Sequence, residues 1–142
     1  MTRFIICALF FMIGCNEEVN DTLCYSSQND QTGFYTMVTQ ERAGDCGSMG
    51  TLQVDIESGV VGINESFGCS LEGVAWSEQT CTTQSVLVCD DGTWEMILDW
   101  SVLSSAEDSN KLSGILNADM AKWGGLYTCS SEYTFEATKT QK

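Results

Sequence analysis

Apolar and polar residues alternate along most of this chain. Leu52, Val54 and Ile56 are separated by Gln53 and Asp55. Trp94, Met96, Leu98, Trp100 and Val102 alternate with Glu95, Asp99 and Ser101, and Ile97 breaks the pattern. Leu112, Gly114, Leu116, Ala118 and Met120 form a third such series, and Tyr127, Cys129, Ser131, Tyr133, Phe135 and Ala137 a fourth. A period of two places one set of side chains on a buried face and the other in water, which is the signature of half-buried β-strands. Few stretches carry the i, i+3, i+4 spacing of an amphipathic helix.

Turn residues punctuate these runs: Asn29-Asp30, Gly44-Asp45, Ser58-Gly59, Asp91-Gly92, Asp108-Ser109-Asn110 and Gly124-Gly125. Gly, Asn and Asp tolerate the positive φ angles that tight hairpins need. The chain contains no proline, so the other turn residues must make every reversal. Strands are predicted near 22–28, 33–41, 50–57, 60–67, 72–77, 82–89, 93–104, 111–120 and 126–138. The fold class this implies is all-β: an antiparallel meander closed as a small sandwich or barrel.

The N-terminus has a different texture. Arg3 precedes an uncharged apolar run from Phe4 to Ile13, followed by Gly14. This is the layout of an export signal, and the run is about half the roughly 20 residues of a membrane-spanning helix. Its last residues, Met12-Ile13-Gly14-Cys15, resemble the lipobox of bacterial lipoproteins, with Met12 where Leu is commonest. The resemblance covers residues 1–15 and implies that the thiol of Cys15 is alkylated by diacylglycerol, that residues 1–14 are removed, and that the new amine is acylated. It places the protein in the bacterial cell envelope, with Asn16 after the lipidated cysteine favouring the outer membrane. Residues 15–21 then read as an acidic tether and 22–142 as a single β-rich domain.

Composition narrows the partners. Twenty Asp and Glu against six Lys and Arg give a formal net charge of −14. That field repels nucleic acid, whose binding rests on basic residues, and it repels anionic headgroups. The membrane is therefore expected to be a partner only through the lipid. A protein or a glycan is the remaining class of partner, and the acidity also serves solubility.

Cysteine usage fits an oxidising compartment. Of eight cysteines, Cys7 falls in the signal and Cys15 is the lipidation candidate, leaving Cys24, Cys46, Cys69, Cys81, Cys89 and Cys129 as an even set of disulfide candidates. Zinc is disfavoured, because histidine is absent and no C-x2-C pair occurs. Spacing alone leaves the connectivity open, although a hairpin around Ser58-Gly59 would bring Cys46 nearly opposite Cys69.

Without histidine the chain lacks the Ser-His-Asp and Cys-His constellations and the commonest general base. No P-loop, G-x-S-x-G or dinucleotide-binding sequence is present. The expectation is a protein that is not an enzyme and needs no cofactor. Asp90-Asp91-Gly92 reads as an acidic hairpin turn, with a calcium site as the weaker alternative. Asp99, between Leu98 and Trp100, is expected to face water. Trp94 and Trp100 share a strand face and are expected in the core. Trp123, beside Gly124-Gly125 at a hairpin tip, is the foremost candidate contact residue. The expected function is binding or structural support at the envelope. The alternatives are a small-ligand or glycan-binding barrel, and an ordinary secreted protein without lipid.

Overall fold

In a computed structural model, residues 24–62 and 68–140 are described. Among the described residues, eight strands follow a single turn of 3-10 helix, η1 (Gln28–Gln31). They are β1 (Gly33–Gly44), β2 (Thr51–Glu57), β3 (Val60–Gly62), β4 (Cys69–Ser77), β5 (Thr82–Asp90), β6 (Trp94–Ser104), β7 (Lys111–Lys122) and β8 (Tyr127–Lys139). All pairs are antiparallel, in the order β3-β2-β1-β8-β7-β6-β5-β4. Two meanders are thus joined through β1 and β8 into one nearly closed, barrel-like sheet. Among the described residues no helix is long and apolar enough to cross a membrane.

The alternation explains the interior. Even-numbered positions of β6 and β7 and odd-numbered positions of β5 and β8 point inward, and Leu98, Trp100, Leu116, Tyr133 and Phe135 are buried there. Tyr35 and Met37 of β1 join them, both fully buried. The Trp100 and Phe135 rings meet edge to face with centroids 5.6 Å apart. The inside of the barrel is a packed core.

One end of the barrel is plugged. The Ser58-Gly59 turn, the β4–β5 and β6–β7 connections and η1 gather there. Gln31, at the end of η1, is fully buried. Its side-chain amide donates to the Cys81 carbonyl (3.2 Å), the Val102 carbonyl (3.3 Å) and Ser104 Oγ (2.8 Å), and its Oε1 accepts from Thr83 Oγ1 (2.6 Å). The Ser58-Gly59 turn has both φ angles positive, 49° and 79°. It lies so close to this plug that a Cβ on Gly59 would overlap Gln31 and Thr83. The opposite end, called here the tip end, carries the β1–β2 connection and the β5–β6 and β7–β8 hairpins.

Two expectations are corrected. The segment around 22–28 is not a strand in its described part. Ser27 caps η1 instead, with its N–H and Oγ both donating to Asp30 Oδ2 (2.6 and 3.0 Å). A short polar side chain three residues before an acid offers the backbone a local turn that competes with a ladder. The Cys46–Cys69 pairing also fails. The bonds are Cys24–Cys81, Cys46–Cys129 and Cys69–Cys89. The predicted hairpin register exists, with Ile56 opposite Val61, but β1 pairs with β8 as well as β2. Gly44 faces Ser131, and the same register carried two residues further sets Cys46 beside Cys129. Cys69 and Cys89 are direct partners on β4 and β5.

The strand lengths also differ for local reasons. β4 begins at Cys69, before the predicted 72, where Cys69 to Leu71 pair with Leu87 to Cys89, and a bulge between Leu71 and Gly73 breaks its alternation. A similar irregularity between Glu41 and Ala43 precedes the end of β1. Residues 63–67 of the predicted fourth strand lie outside the described residues.

Candidate functional site

The tip end carries the two most exposed large apolar side chains. Leu126 is 86 % exposed, Trp123 60 % and Tyr127 46 %. Trp123 has φ of 52°, a left-handed conformation that costs a non-glycine residue roughly 1–2 kcal/mol. Its backbone N–H donates to the Thr93 carbonyl (2.9 Å), which ties the two hairpin tips together. The Lys122 ammonium lies 4.1 Å from the Trp123 ring centroid and 4.7 Å from that of Trp94. Trp94 in turn meets Tyr127 edge to face at 6.3 Å. The predicted contact residue therefore stands in an aromatic group with a cation held against two rings.

Trp94 departs from expectation. It has the parity of Trp100, but it sits at the rim, half-buried, while Trp100 is in the core. β6 begins with it, at the rim, so no further layer of core residues covers its ring. Asp99 is exposed, as its place in the alternation requires.

Asp90 and Asp91 form a hydrogen-bonded turn. Asp90 Oδ1 accepts from Gly92 N–H (2.7 Å), and Asp91 Oδ1 accepts from Trp94 N–H (2.6 Å) and Thr93 N–H (2.8 Å). The Trp94 and Thr93 amides, with help from the Lys122 charge, hold the Asp91 carboxyl below its ordinary range. The calcium alternative for these two residues gains nothing from that arrangement, since the carboxylates serve their own turn. Asp45, Cys46 and Cys129 bring three potential ligand atoms within 4.8 Å of one another, but both sulfurs are tied in the disulfide and supply no thiolate.

Beside the tip, the outer face of the sheet forms a groove of about 610 Å³. Its lining is two register rows of outward side chains across β5, β6, β7 and β8, together with Cys89, Met96, Met120 and Cys129 of the row between them. The first is Val88, Ile97, Asp119 and Ser130; the second is Asp90, Glu95, Ala121 and Thr128. Asp45 adjoins the first row through its Oδ1, which accepts from Ser130 N–H (2.9 Å). Ile97 is half exposed. This explains its break in the alternation: it is an outward apolar residue. Sequence reading did not assemble this groove, because row neighbours are set by the register between strands. The break at Ile97 was the only signal available along the chain.

Cys15, the lipidation candidate, and the signal before it lie outside the described residues. Comparison with protein families, with characterised proteins and with solved structures finds no match for this chain.

Proposed function

We propose that this protein is a lipid-anchored component of the bacterial cell envelope that acts by binding through the outside of its barrel, without enzymatic activity. The observation that carries this reading is the contrast between the two kinds of surface. The interior is filled by Tyr35, Met37, Trp100 and Tyr133, leaving the inside to packing. The two most exposed large apolar side chains, Leu126 and Trp123, stand clear at one end, with Tyr127 beside them. Exposed aromatic residues at a loop tip are typical anchors of recognition.

The anchor and the tip would lie at opposite ends. Cys24–Cys81 fastens the start of the described chain to the plug end. The eight residues between Cys15 and Cys24 span at most about 28 Å. With strands of this length and a usual barrel tilt, the tip end lies roughly 30 Å beyond the plug. A lipid on Cys15 would thus hold the plug end toward its membrane and turn the aromatic tip away from it.

The test has two parts. Intact mass of the protein from its native host, beside a Cys15→Ala version, should show residues 15–142 plus acyl chains, lost in the variant. A photo-crosslinking residue at position 123 should yield discrete adducts in intact cells, and one at Thr36 on the far part of β1 should not. An unmodified Cys15 would make this an ordinary secreted protein. Equal crosslinking at both positions would remove the tip from the reading. The glycan-binding alternative rests on the exposed Trp123 and Tyr127 rings, and adducts to carbohydrate at position 123 would favour it.

A further inference from the structure

We propose that the groove beside the tip is a docking site for a Lys- or Arg-bearing segment of a partner protein. This rests on the reading that the protein binds through its outer surface. It adds the chemistry of the partner.

The two register rows interleave apolar and acidic side chains. On β5 and β6, Val88 and Ile97 form one row and Asp90 and Glu95 the next. On β7 the order is reversed, with Asp119 in the first row and Ala121 in the second. Each apolar side chain therefore has a carboxylate as a neighbour within about 5–8 Å, across or along the strands. A basic side chain has the matching build, an aliphatic stem ending in a charge. Its stem can lie on Ile97 or Ala121 while its head reaches Glu95 or Asp119.

The groove's charge is not neutralised from within. Among the described residues the ion pairs are Arg42–Glu132 and Lys111–Asp108, and neither includes Asp45, Asp90, Glu95 or Asp119. Lys122, the nearest cation in the tip, is held against Trp94 and Trp123. That arrangement also shows that these rings accept a cation. Four strands span about 14 Å at the usual spacing, enough for roughly four extended residues of a partner.

A second outer-face hollow provides the comparison. It holds about 560 Å³ and is floored by Val38, Leu103 and Ile115, but Glu136 is its one carboxylate. General attraction to an acidic protein would treat the two hollows alike. The proposed site would not.

The experiment uses the full protein in detergent and a fluorescein-labelled octapeptide of alternating Gly and Arg, followed by anisotropy at about 50 and 200 mM salt. The expected result is saturable binding, weakened at least tenfold in the double variant Glu95→Gln/Asp119→Asn and unchanged in Glu136→Gln. Both substitutions keep the side-chain shape, and Asn retains an acceptor for the Ser130 hydroxyl that Asp119 now accepts. Amide shift mapping on the unmodified protein should place the peptide on residues 88–97 and 119–130. Absence of binding, equal loss in both variants, or shifts spread over the whole surface would each overturn the proposal. So would a blue shift of tryptophan emission when the unlipidated Cys15→Ala protein meets phosphatidylcholine vesicles, which would make the tip a membrane contact. If crosslinking at position 123 succeeds while the peptide fails, the basic partner falls and the binding reading stands.

Discussion

The ring of Phe135 lies over Gly114, its direct partner on the neighbouring strand, and occupies the space where a Cβ would stand. A Cβ there would meet Phe135 Cζ at 2.5 Å and would overlap the Ser101 carbonyl oxygen. An aromatic ring thus covers a gap that a strand glycine leaves in the core. Gly114→Ala is expected to destabilise the barrel by about 2–3 kcal/mol, at the upper end of overpacking costs because backbone stands in the way. Denaturant unfolding of the variant measures this, and a change below about 0.5 kcal/mol would contradict the packing described.

Gln31 closes the plug end with four hydrogen bonds to Cys81, Val102, Ser104 and Thr83. Gln31→Ala removes all four and leaves buried partners unsatisfied, at an expected cost of about 2–3 kcal/mol. Gln31→Leu should not recover the loss, since a side chain of similar size still leaves the buried Thr83 and Ser104 hydroxyls without the Gln31 amide. Equal stability of the leucine variant and the original would show that volume, rather than polarity, makes the plug.

These two relationships mark the boundary of what the chain discloses on its own. The alternating series around Leu98, Leu116 and Tyr133 was readable because each residue's environment depends on its neighbours two positions away. The tip was readable at Trp123 for the same local reason, a large aromatic beside two glycines. Gln31 gave no such signal. Its burial depends on η1 turning back over the barrel and on partners 50 to 73 residues away. The groove was hidden likewise, because Ile97 and Asp119 become neighbours only through the β6–β7 register. The Cys46–Cys69 expectation failed at that level: it used one hairpin and lacked the β1–β8 pairing that sets Cys46 beside Cys129.

The three disulfides close loops of very different size. Their sequence separations are 83 for Cys46–Cys129, 57 for Cys24–Cys81 and 20 for Cys69–Cys89. Chain entropy then assigns about 4.5 kcal/mol to the longest and about 3 kcal/mol to the shortest. Paired Cys→Ser variants should follow that order in thermal melts, and full reduction should lower stability strongly. Peptide mapping without reductant should recover the three pairs named here. Coincident melts with and without reductant would show that the barrel does not depend on them.

Stability should fall at both extremes of pH, for different residues. Burial raises the Tyr35 hydroxyl above its ordinary 10.0, so its contribution is intact below about pH 10 and is lost as pH rises through the higher folded value. Hydrogen bonds from the Ser27 backbone and side chain hold Asp30 below its ordinary 3.8, and the Trp94 and Thr93 amides do the same for Asp91. Their contribution is present above that value and lost as pH falls through the lower folded one. Among the described residues the Tyr35 hydroxyl has no hydrogen-bond partner. Tyr35→Phe should therefore flatten the alkaline limb and leave neutral-pH stability equal or about 1 kcal/mol higher. A large loss at pH 7 would mean that the hydroxyl is engaged after all.

Trp100 and Trp123 should separate stability from binding. Trp100 is 2 % exposed, and Trp100→Ala is expected to cost about 3–5 kcal/mol. Trp123 is exposed, and its left-handed backbone suits glycine better than any large residue. Trp123→Gly relieves roughly 1–2 kcal/mol of strain while losing the Lys122 contact, about 0.5–1 kcal/mol, and adding flexibility to the unfolded chain. These terms nearly cancel, so the melting curve should stay within about 1 kcal/mol of the original. If the tip anchors a partner, the same variant should lose that partner in intact cells while the protein remains folded at normal abundance. A Trp123→Gly protein that melts early would make Trp123 a structural residue. One that melts normally and binds normally would move the contact elsewhere on the barrel.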